Sequence, residues 1–278
     1  MDFETSQIPC WLMLRILYNK SEGRDDMKKT YDFDGNLYTY DEVKKILDGP
    51  NQKNRSDGRW EETLKLIEGN RVLDFGCWAG ATTKSIAQLG YDVIGIDYRP
   101  SAIDIANDFN KLPNITYEVR DIFSNPFHES YFDCIVFTEV IEHLENPALY
   151  LREFHRILKP GGFLILSTPN ATSLKNVLYA ISYGKQNKRQ RIISDIKNEN
   201  PQTGTHLEHL YNWDFPTLVR LLFRCGFDIY YHTFVRSGPI TIPFLNKKIE
   251  IIKRESTILK FMPTLMVNHL IKAQKPLQ

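Results

Sequence analysis

The stretch RVLDFGCWAGATTKSIAQLGYDVIGID, residues 71–97, decides the fold class of this chain. An apolar run from Arg71 to Phe75 ends at a glycine-containing turn, and a helical pattern from Thr82 to Leu89 follows. A second apolar run, Asp92 to Ile96, ends at Asp97. This order of strand, glycine turn, helix and strand is typical of a βαβ unit and predicts parallel strands.

The same alternation continues along the chain and predicts a doubly wound, mostly parallel α/β sheet. Further strands are predicted at 115–119, 132–137, 163–167, 227–235 and 265–273, and helices at 59–67, from about 100, at 147–158 and at 214–224. We expect residues 1–60, which are polar and rich in turn signals, to form an N-terminal cap region. Residues 61–278 would form the main domain, with insertions at about 171–205, predicted to be helical, and 236–264.

The composition favours a folded globular chain. Its 278 residues are 42% apolar and 12% aromatic, which is enough for a sizeable core. Lys plus Arg number 35 and Asp plus Glu 34, so no overall charge favours nucleic acid or a membrane surface. No transmembrane helix or secretory signal is expected. The four cysteines form no CxxC pair, and we expect them to be reduced in a cytoplasmic protein.

Acidic side chains follow successive predicted strands. Asp74, Asp97, Asp121 and Glu139 each lie at or just after the carboxyl end of a strand. Ligands of open α/β sheets bind beyond these ends. Asp97 alone would also suit a helix cap, but the four acids together predict a ligand site.

Two cofactor classes suit a glycine turn followed by acids. A nicotinamide dinucleotide needs G-x-G-x-x-G, and this frame gives Gly76, Trp78 and Ala81, so two glycines are missing. S-adenosyl-L-methionine instead needs a close-contact turn, an acid for its ribose hydroxyls and an acceptor for its adenine amino group. Gly76 with Gly80, then Asp97, then Asp121 offer these groups in that order.

Seven short motifs carry a resemblance to a known family. They are VLDFGC (72–77), VIGID (93–97), RDI (120–122), FDCI (132–135), EVIEHL (139–144), LKPGG (158–162) and STPN (167–170). In this order they resemble the motifs of the seven-stranded S-adenosylmethionine-dependent methyltransferases, over about residues 60–235. The subset they resemble is that of the ubiquinone-biosynthesis O-methyltransferases and their relatives in glycan and natural-product pathways. The resemblance implies a Rossmann-like sheet of seven strands with an antiparallel last strand.

The resemblance also implies residue roles in cofactor binding. The implied residues are Asp74, Gly76, Gly80, Asp97, Tyr98, Asp121, Ile122 and Thr138. Asp74 would hold the methionyl amino group through water, Asp97 the ribose hydroxyls and Asp121 the adenine amino group. Apart from the resemblance, we expect Arg59 and Trp60, at the start of the helix before the first strand, to close over the methionyl end. The chain departs from the family at Trp78, where a middle glycine is usual. Its side chain must point away from the cofactor or cover it.

Methylation of a hydroxyl needs a group that removes a proton, and histidine suits this task at neutral pH. The candidate catalytic residues are His143, Glu139 and His209, with His206 a further histidine of the same stretch. His143 would equally suit a structural role that ties its loop to a neighbouring helix. A non-catalytic binding module that retained the fold is a further alternative.

The alternative hypothesis is that residues of the same segment bind a metal ion. Glu139, Glu142 and His143 have i, i+3, i+4 spacing, and with His209 they would supply two carboxylates and two imidazoles for Mn²⁺, Fe²⁺ or Mg²⁺. The pattern is similar to that of the small-RNA 3′-terminal 2′-O-methyltransferases.

Both insertions carry more basic than acidic residues; such runs are ordinarily solvated surface charge, and the functional alternative is an anionic acceptor. We expect a small-molecule or glycan-type acceptor, and nucleic acid only under the metal-dependent alternative. Basic residues interleaved with apolar ones would also suit peripheral contact with a membrane surface.

Overall fold

A computed structural model describes residues 29–31, 37–39, 58–182, 184–197, 209–235, 240–244, 247–252 and 266–277. Its helices are α1 (Gly58–Leu66), α2 (Ala81–Gln88), α3 (Pro100–Phe109), α4 (Pro147–Ile157), α5 (Leu174–Ser182), α6 (Gln186–Lys197) and α7 (Phe215–Arg224). Its strands are β1 (Lys29–Tyr31), β2 (Leu37–Thr39), β3 (Arg71–Phe75), β4 (Asp92–Asp97), β5 (Ile115–Val119), β6 (Phe132–Thr138), β7 (Leu158–Pro169), β8 (Asp228–Val235), β9 (Ile240–Phe244), β10 (Lys247–Ile252) and β11 (Asn268–Gln274). A short 3₁₀ helix, Ile141–His143, follows β6.

Within the described residues, seven strands form one sheet in the order β5-β4-β3-β6-β7-β11-β8. The strands from β3 to β7 pair in parallel, whereas β11 pairs antiparallel with both β7 and β8. The predicted doubly wound sheet with an antiparallel last strand is therefore confirmed. The order reverses between β3 and β6, and this switch point is where open sheets bind ligands.

The sheet is apolar on both faces because helices cover both. Ile135 and Phe137 of β6 belong to a cluster with Leu151 and Phe154 of α4. The alternate residues of β6 instead pack in a second cluster, which includes Ile86 of α2. Side chains alternate between the two faces of a strand, so a strand covered on both sides must be apolar throughout.

Three features differ from the sequence predictions. The segment Leu158–Gly162, which joins the predicted helix 147–158 to the predicted strand 163–167, already belongs to β7, and the Gly161 N–H donates to the Lys275 carbonyl while the Lys275 N–H donates to the Gly162 carbonyl. The predicted N-terminal cap region contains the antiparallel pair of β1 and β2, which turn signals alone did not reveal. The second insertion contains the pair of β9 and β10.

The other outcomes concern the first insertion, the cysteines and the membrane. The helices α5 and α6 confirm the helical character predicted for the first insertion. Cys77, Cys134 and Cys225 are buried thiols without a disulfide in the described part of the chain. His206 and Cys10 lie outside the described residues. None of the described helices is long and apolar enough to span a membrane.

Candidate active site

The glycine turn is anchored to the neighbouring strand. Gly76 and Cys77 both donate their backbone N–H to the Ile96 carbonyl, at 2.9 and 3.0 Å. Gly76 and Gly80 have φ of 77° and 79°, in the left-handed region that glycine adopts without strain. The turn thus ends β3, starts α2 and stays against the end of β4.

Trp78 occupies the middle of this turn with a φ of 46°. A non-glycine residue in this region costs about 1 kcal/mol in backbone strain. Its N–H donates to Oδ2 of Asp97 at 3.1 Å, and its side chain packs against Ala79 and Ile105. The indole therefore lies between the turn and α3.

Asp74 is buried near the end of β3. Thr83 of α2 donates its hydroxyl to Oδ2 of Asp74 at 2.6 Å. Burial raises the pKa of Asp74 to about 6, and the neighbouring Asp97 carboxylate adds to this increase. A cation beside Asp74 would favour its ionised form.

Asp97 is held by a dense set of donors. Its Oδ1 accepts from Arg99 N at 3.0 Å and from Arg99 Nε at 3.1 Å. Its Oδ2 accepts from Trp78 N at 3.1 Å and, more weakly, from an Arg99 guanidinium nitrogen at 3.4 Å. The Asp97 side chain is 0% exposed and that of Arg99 12%. The acid is thus covered by the residue two positions later.

Asp121 follows β5 and binds its own turn. Its Oδ1 and Oδ2 accept the N–H groups of Phe123 and Ser124, both at 3.1 Å. Ile122 beside it is buried, and Tyr98 at the end of β4 is exposed. Burial raises the pKa of Tyr150, and the Asp121 charge raises it further, so this phenol also lies near the turn.

Thr138 ends β6, and Glu139 after it has a left-handed φ of 55°. Oε1 of Glu139 accepts from the Ser167 hydroxyl at 2.8 Å. Its Oε2 accepts from the Asn268 amide at 2.7 Å and pairs with Arg59 at 2.8 Å. Glu139 therefore joins β6, β7, β11 and α1.

Glu142, His143 and His209 form a second group of polar side chains. One ligand atom from each lies within 4.8 Å of the others, and the two imidazole rings meet edge to face at 4.7 Å between centroids. Glu142 Oε2 accepts from the Thr168 hydroxyl at 2.9 Å. Oε1 of Glu142 is buried and has no hydrogen-bond partner in the described structure. Burial and the nearby Glu139 carboxylate raise the pKa of Glu142 well above its usual value.

Backbone contacts bring His209 to this group from far along the chain. Leu210 and Tyr211 donate their N–H groups to the Glu142 carbonyl at 2.9 and 3.2 Å. The Tyr211 hydroxyl donates to the Glu145 carbonyl at 3.0 Å. The segment that begins at His209 is thus fixed to the loop after β6.

Comparison with known proteins identifies the family. The sequence model of a family described as "Methyltransferase domain" matches residues 52–232. The chain belongs to this methyltransferase family. S-adenosyl-L-methionine is therefore its cofactor, as the sequence predicted.

Curated relatives of this methyltransferase include ubiquinone biosynthesis O-methyltransferases. The relative from Pseudomonas aeruginosa UCBPP-PA14 is 32% identical over 125 residues, which cover 44% of this chain and 53% of the relative. One from Cereibacter sphaeroides ATCC 17029 is 36% identical over 106 residues, covering 37% and 43%. This methyltransferase thus spans about half the length of the curated relatives it matches.

Solved structures agree with the fold. An S-adenosylmethionine-dependent methyltransferase from Archaeoglobus fulgidus superimposes with a TM-score of 0.53 at 19% identity, covering 85% of this chain and 99% of that one. Another from Methanosarcina mazei gives a TM-score of 0.52 at 23% identity, covering 77% and 96%.

The donor set of this methyltransferase fits its cofactor. The cofactor carries positive charge at its sulfur and amino group, and carboxylates at three adjacent strand ends would favour such a ligand. The second group also fits a divalent cation, because the unpartnered Glu142 oxygen and two imidazoles are typical ligands of Mn²⁺ or Fe²⁺. Glu139 does not belong to that group within the described residues, since its carboxylate is bound elsewhere.

Sequence reasoning missed several partners of these site residues. Thr83, Arg99, Ser167 and Asn268 each bind a strand-end acid. Arg99 follows Asp97 by two positions, a local pairing that the sequence displays directly. Asn268 lies 129 positions from Glu139, and only the pairing of β11 with β7 brings it near.

Proposed function

We propose that this methyltransferase transfers a methyl group to a hydroxyl oxygen of a small-molecule or glycan-type acceptor. The observation that carries the proposal is the convergence of His143 and His209 with Glu142 just beyond β6. An imidazole at this place would remove the hydroxyl proton. The ubiquinone O-methyltransferase name of the relatives supports an oxygen acceptor.

The three acids beyond β3, β4 and β5 would hold the cofactor. Asp74 would bind the methionyl amino group, Asp97 the ribose hydroxyls, and Asp121 the adenine amino group. Gly76 and Gly80 would let the backbone approach closely, and Tyr98, the Ile122 N–H and Thr138 would complete the contacts. Arg59, which reaches the site through Glu139, would cover the methionyl end together with Trp60.

The chemistry asks little covalent participation of the protein. S-adenosyl-L-methionine supplies the methyl group on a positively charged sulfur. The acceptor oxygen forms the new bond to the methyl carbon while the carbon–sulfur bond breaks and its electron pair stays on sulfur. His143 or His209 accepts the hydroxyl proton. The remaining task of the protein is alignment of the acceptor with the breaking bond.

A metal-assisted reaction is the second candidate, and the buried Glu142 oxygen without a partner favours it. A divalent cation held by Glu142, His143 and His209 would lower the pKa of an acceptor hydroxyl. The ribose 2′-hydroxyl at the 3′ end of RNA is such an acceptor.

The charge of the first insertion bears on the acceptor in either reaction. The excess of basic residues in residues 171–205 would support an anionic acceptor, including a lipid-linked one at a membrane surface.

The test is a screen of acceptors by release of S-adenosylhomocysteine, with and without EDTA. Turnover of a hydroxylated metabolite or glycan supports the first proposal, and full retention of that turnover in EDTA excludes the metal. EDTA-sensitive turnover of an RNA 3′ end supports the alternative. Calorimetry with S-adenosyl-L-methionine tests the hypothesis that the chain is a non-catalytic binding module, which its membership of a methyltransferase family disfavours. The cytoplasmic location stays a prediction from the sequence.

A further inference from the structure

Asp97 has no acceptor position left for a further donor. A carboxylate offers about four acceptor positions, two on each oxygen. On Oδ1 both are taken, by Arg99 N and Arg99 Nε. On Oδ2 one is taken by Trp78 N, and the other receives the weaker guanidinium contact at 3.4 Å.

Binding of a ribose at Asp97, as the proposed function requires, needs two of these positions. Two of the present donors are backbone N–H groups, those of Trp78 and Arg99. The Trp78 N–H is fixed because its turn is hydrogen-bonded to Ile96. The other two donors belong to the Arg99 guanidinium, which reaches one position on each oxygen and can leave by rotation of its side chain.

We propose that Arg99 is a latch on the cofactor site: its guanidinium occupies the Asp97 positions that the two ribose hydroxyls need, and the cofactor binds only after the guanidinium leaves. This inference rests on the proposed ribose role of Asp97.

The surroundings of Arg99 allow this exchange. The side chain of Arg99 retains some exposure while that of Asp97 has none, so the arginine is the outer partner of the pair. The Arg99 guanidinium carbon lies 5.1 Å from the ring centre of Tyr98, which is exposed. This cation–π contact coexists with the ion pair, so the guanidinium already borders an exposed ring and can rotate from Asp97 toward solvent. When the cofactor binds, two hydrogen bonds from the ribose hydroxyls to Asp97 replace the two from the Arg99 guanidinium. Because the ion pair must be broken first, its free energy is subtracted from the affinity for the cofactor.

The central experiment compares Arg99→Ala with the unchanged protein. We expect the Kd for S-adenosyl-L-methionine, measured by calorimetry, to fall about tenfold in Arg99→Ala. S-adenosylhomocysteine, which carries the same ribose without the sulfonium charge, should gain equally. Arg156→Ala is the matched control, because Arg156 also pairs with a carboxylate, that of Glu153 on α4, but lies outside the glycine turn.

Binding kinetics give an independent readout. If the latch must open first, the observed rate of binding should reach a plateau at high cofactor concentration, and this plateau should be lost in Arg99→Ala. If Arg99→Ala does not fold, Arg99→Gln, which keeps a polar side chain without the charge, serves for both measurements. Weaker cofactor binding in the folded variant would overturn the latch and make Arg99 a support for the acid.

Asp97→Asn separates failure of the latch from failure of the proposed function. An unchanged Kd in Asp97→Asn would overturn the ribose assignment and the latch with it. Weaker binding in both Asp97→Asn and Arg99→Ala would retain the ribose assignment and overturn the latch alone.

Discussion

The two sides of the site differ in how their acids are satisfied. In the glycine-turn region, meaning residues 74–80 with Asp97 and Arg99, every carboxylate has protein donors, including a guanidinium. In the β6-end region, meaning residues 138–143 with His209, one oxygen of Glu142 is buried without a partner in the described structure. Binding in the first region is therefore an exchange of partners, whereas binding in the second adds an interaction that the protein lacks.

The largest expected effect would break the first region. Replacement of Asp97 by Asn should weaken binding of S-adenosyl-L-methionine by about 30- to 100-fold, because charge-assisted hydrogen bonds become neutral ones. Calorimetry measures this change. The exposed Asp104 of α3 gives the control Asp104→Asn, which should bind normally.

A change in the second region should remove the added interaction. We expect His209→Ala to weaken binding of Mn²⁺ by roughly 10- to 100-fold, since loss of a ligand leaves the site incomplete. Titration with Mn²⁺ alone measures it, with the exposed His128→Ala as the control. Equal Mn²⁺ binding by both variants would exclude this cluster as a cation site.

A lower pH should weaken cofactor binding, because it protonates the Asp74 carboxylate. Its pKa of about 6 in the free protein means that the carboxylate loses its charge as the pH falls through 6. The ionised form attracts the cationic cofactor, so affinity should drop about tenfold between pH 7.5 and 5. In Asp74→Asn the affinity should be lower and nearly independent of pH over this range. A wild-type affinity that stays constant would remove Asp74 from the contacts.

The smallest expected effect is on stability and concerns two neighbouring histidines, His232 and His269. Burial lowers the pKa of His232 to about 4, with the nearby His269 as the second cause, and a His269 ring nitrogen lies 3.1 Å from the Trp213 carbonyl oxygen. The unfolded chain binds a proton near pH 6.5 and the folded chain only near 4. The stability that comes from keeping His232 neutral in the folded chain is therefore fully present above pH 6.5, and this contribution is lost as the pH falls toward 4.

Partial exposure of His232 limits this loss to about 1 kcal/mol. Chemical unfolding at pH 7 and pH 5 measures it, and His232→Phe should reduce the difference between the two values. An undiminished difference in His232→Phe would assign the pH dependence to other groups.

Much of the fold was predictable because its signals are local. The strands Arg71–Phe75 and Ile115–Val119 have the predicted bounds, since the first is a mostly apolar run that ends at a glycine turn and the second alternates apolar and polar residues before Asp121. The start of β7 was not predictable in the same way. Its residues Leu158–Gly162 look like a helix end followed by a turn, and they are extended because Leu158 pairs with Phe132 of β6 and because Gly161 and Gly162 exchange backbone hydrogen bonds with Lys275.

The residues of the candidate site likewise fall into those with a local sequence signal and those whose partners come from distant segments. The acids Asp74, Asp97 and Asp121 were found from their positions at or just after strand ends, and Thr83 and Arg99, which bind Asp74 and Asp97, are close to them in sequence. The meeting of Glu142 with His209 was anticipated as one alternative. That Glu139 turns instead to Arg59 and Asn268 was not, because both partners come from distant segments.

The sequence by itself determined the alternation of strands and helices in the seven-stranded sheet, the glycine turn and the acids at strand ends, because each depends on neighbours within a few residues. The tertiary structure alone decided which of those acids are already bound and which oxygen is left without a partner. Hydrogen bonds and burial form between segments that fold side by side, and the linear order of residues does not specify those neighbours.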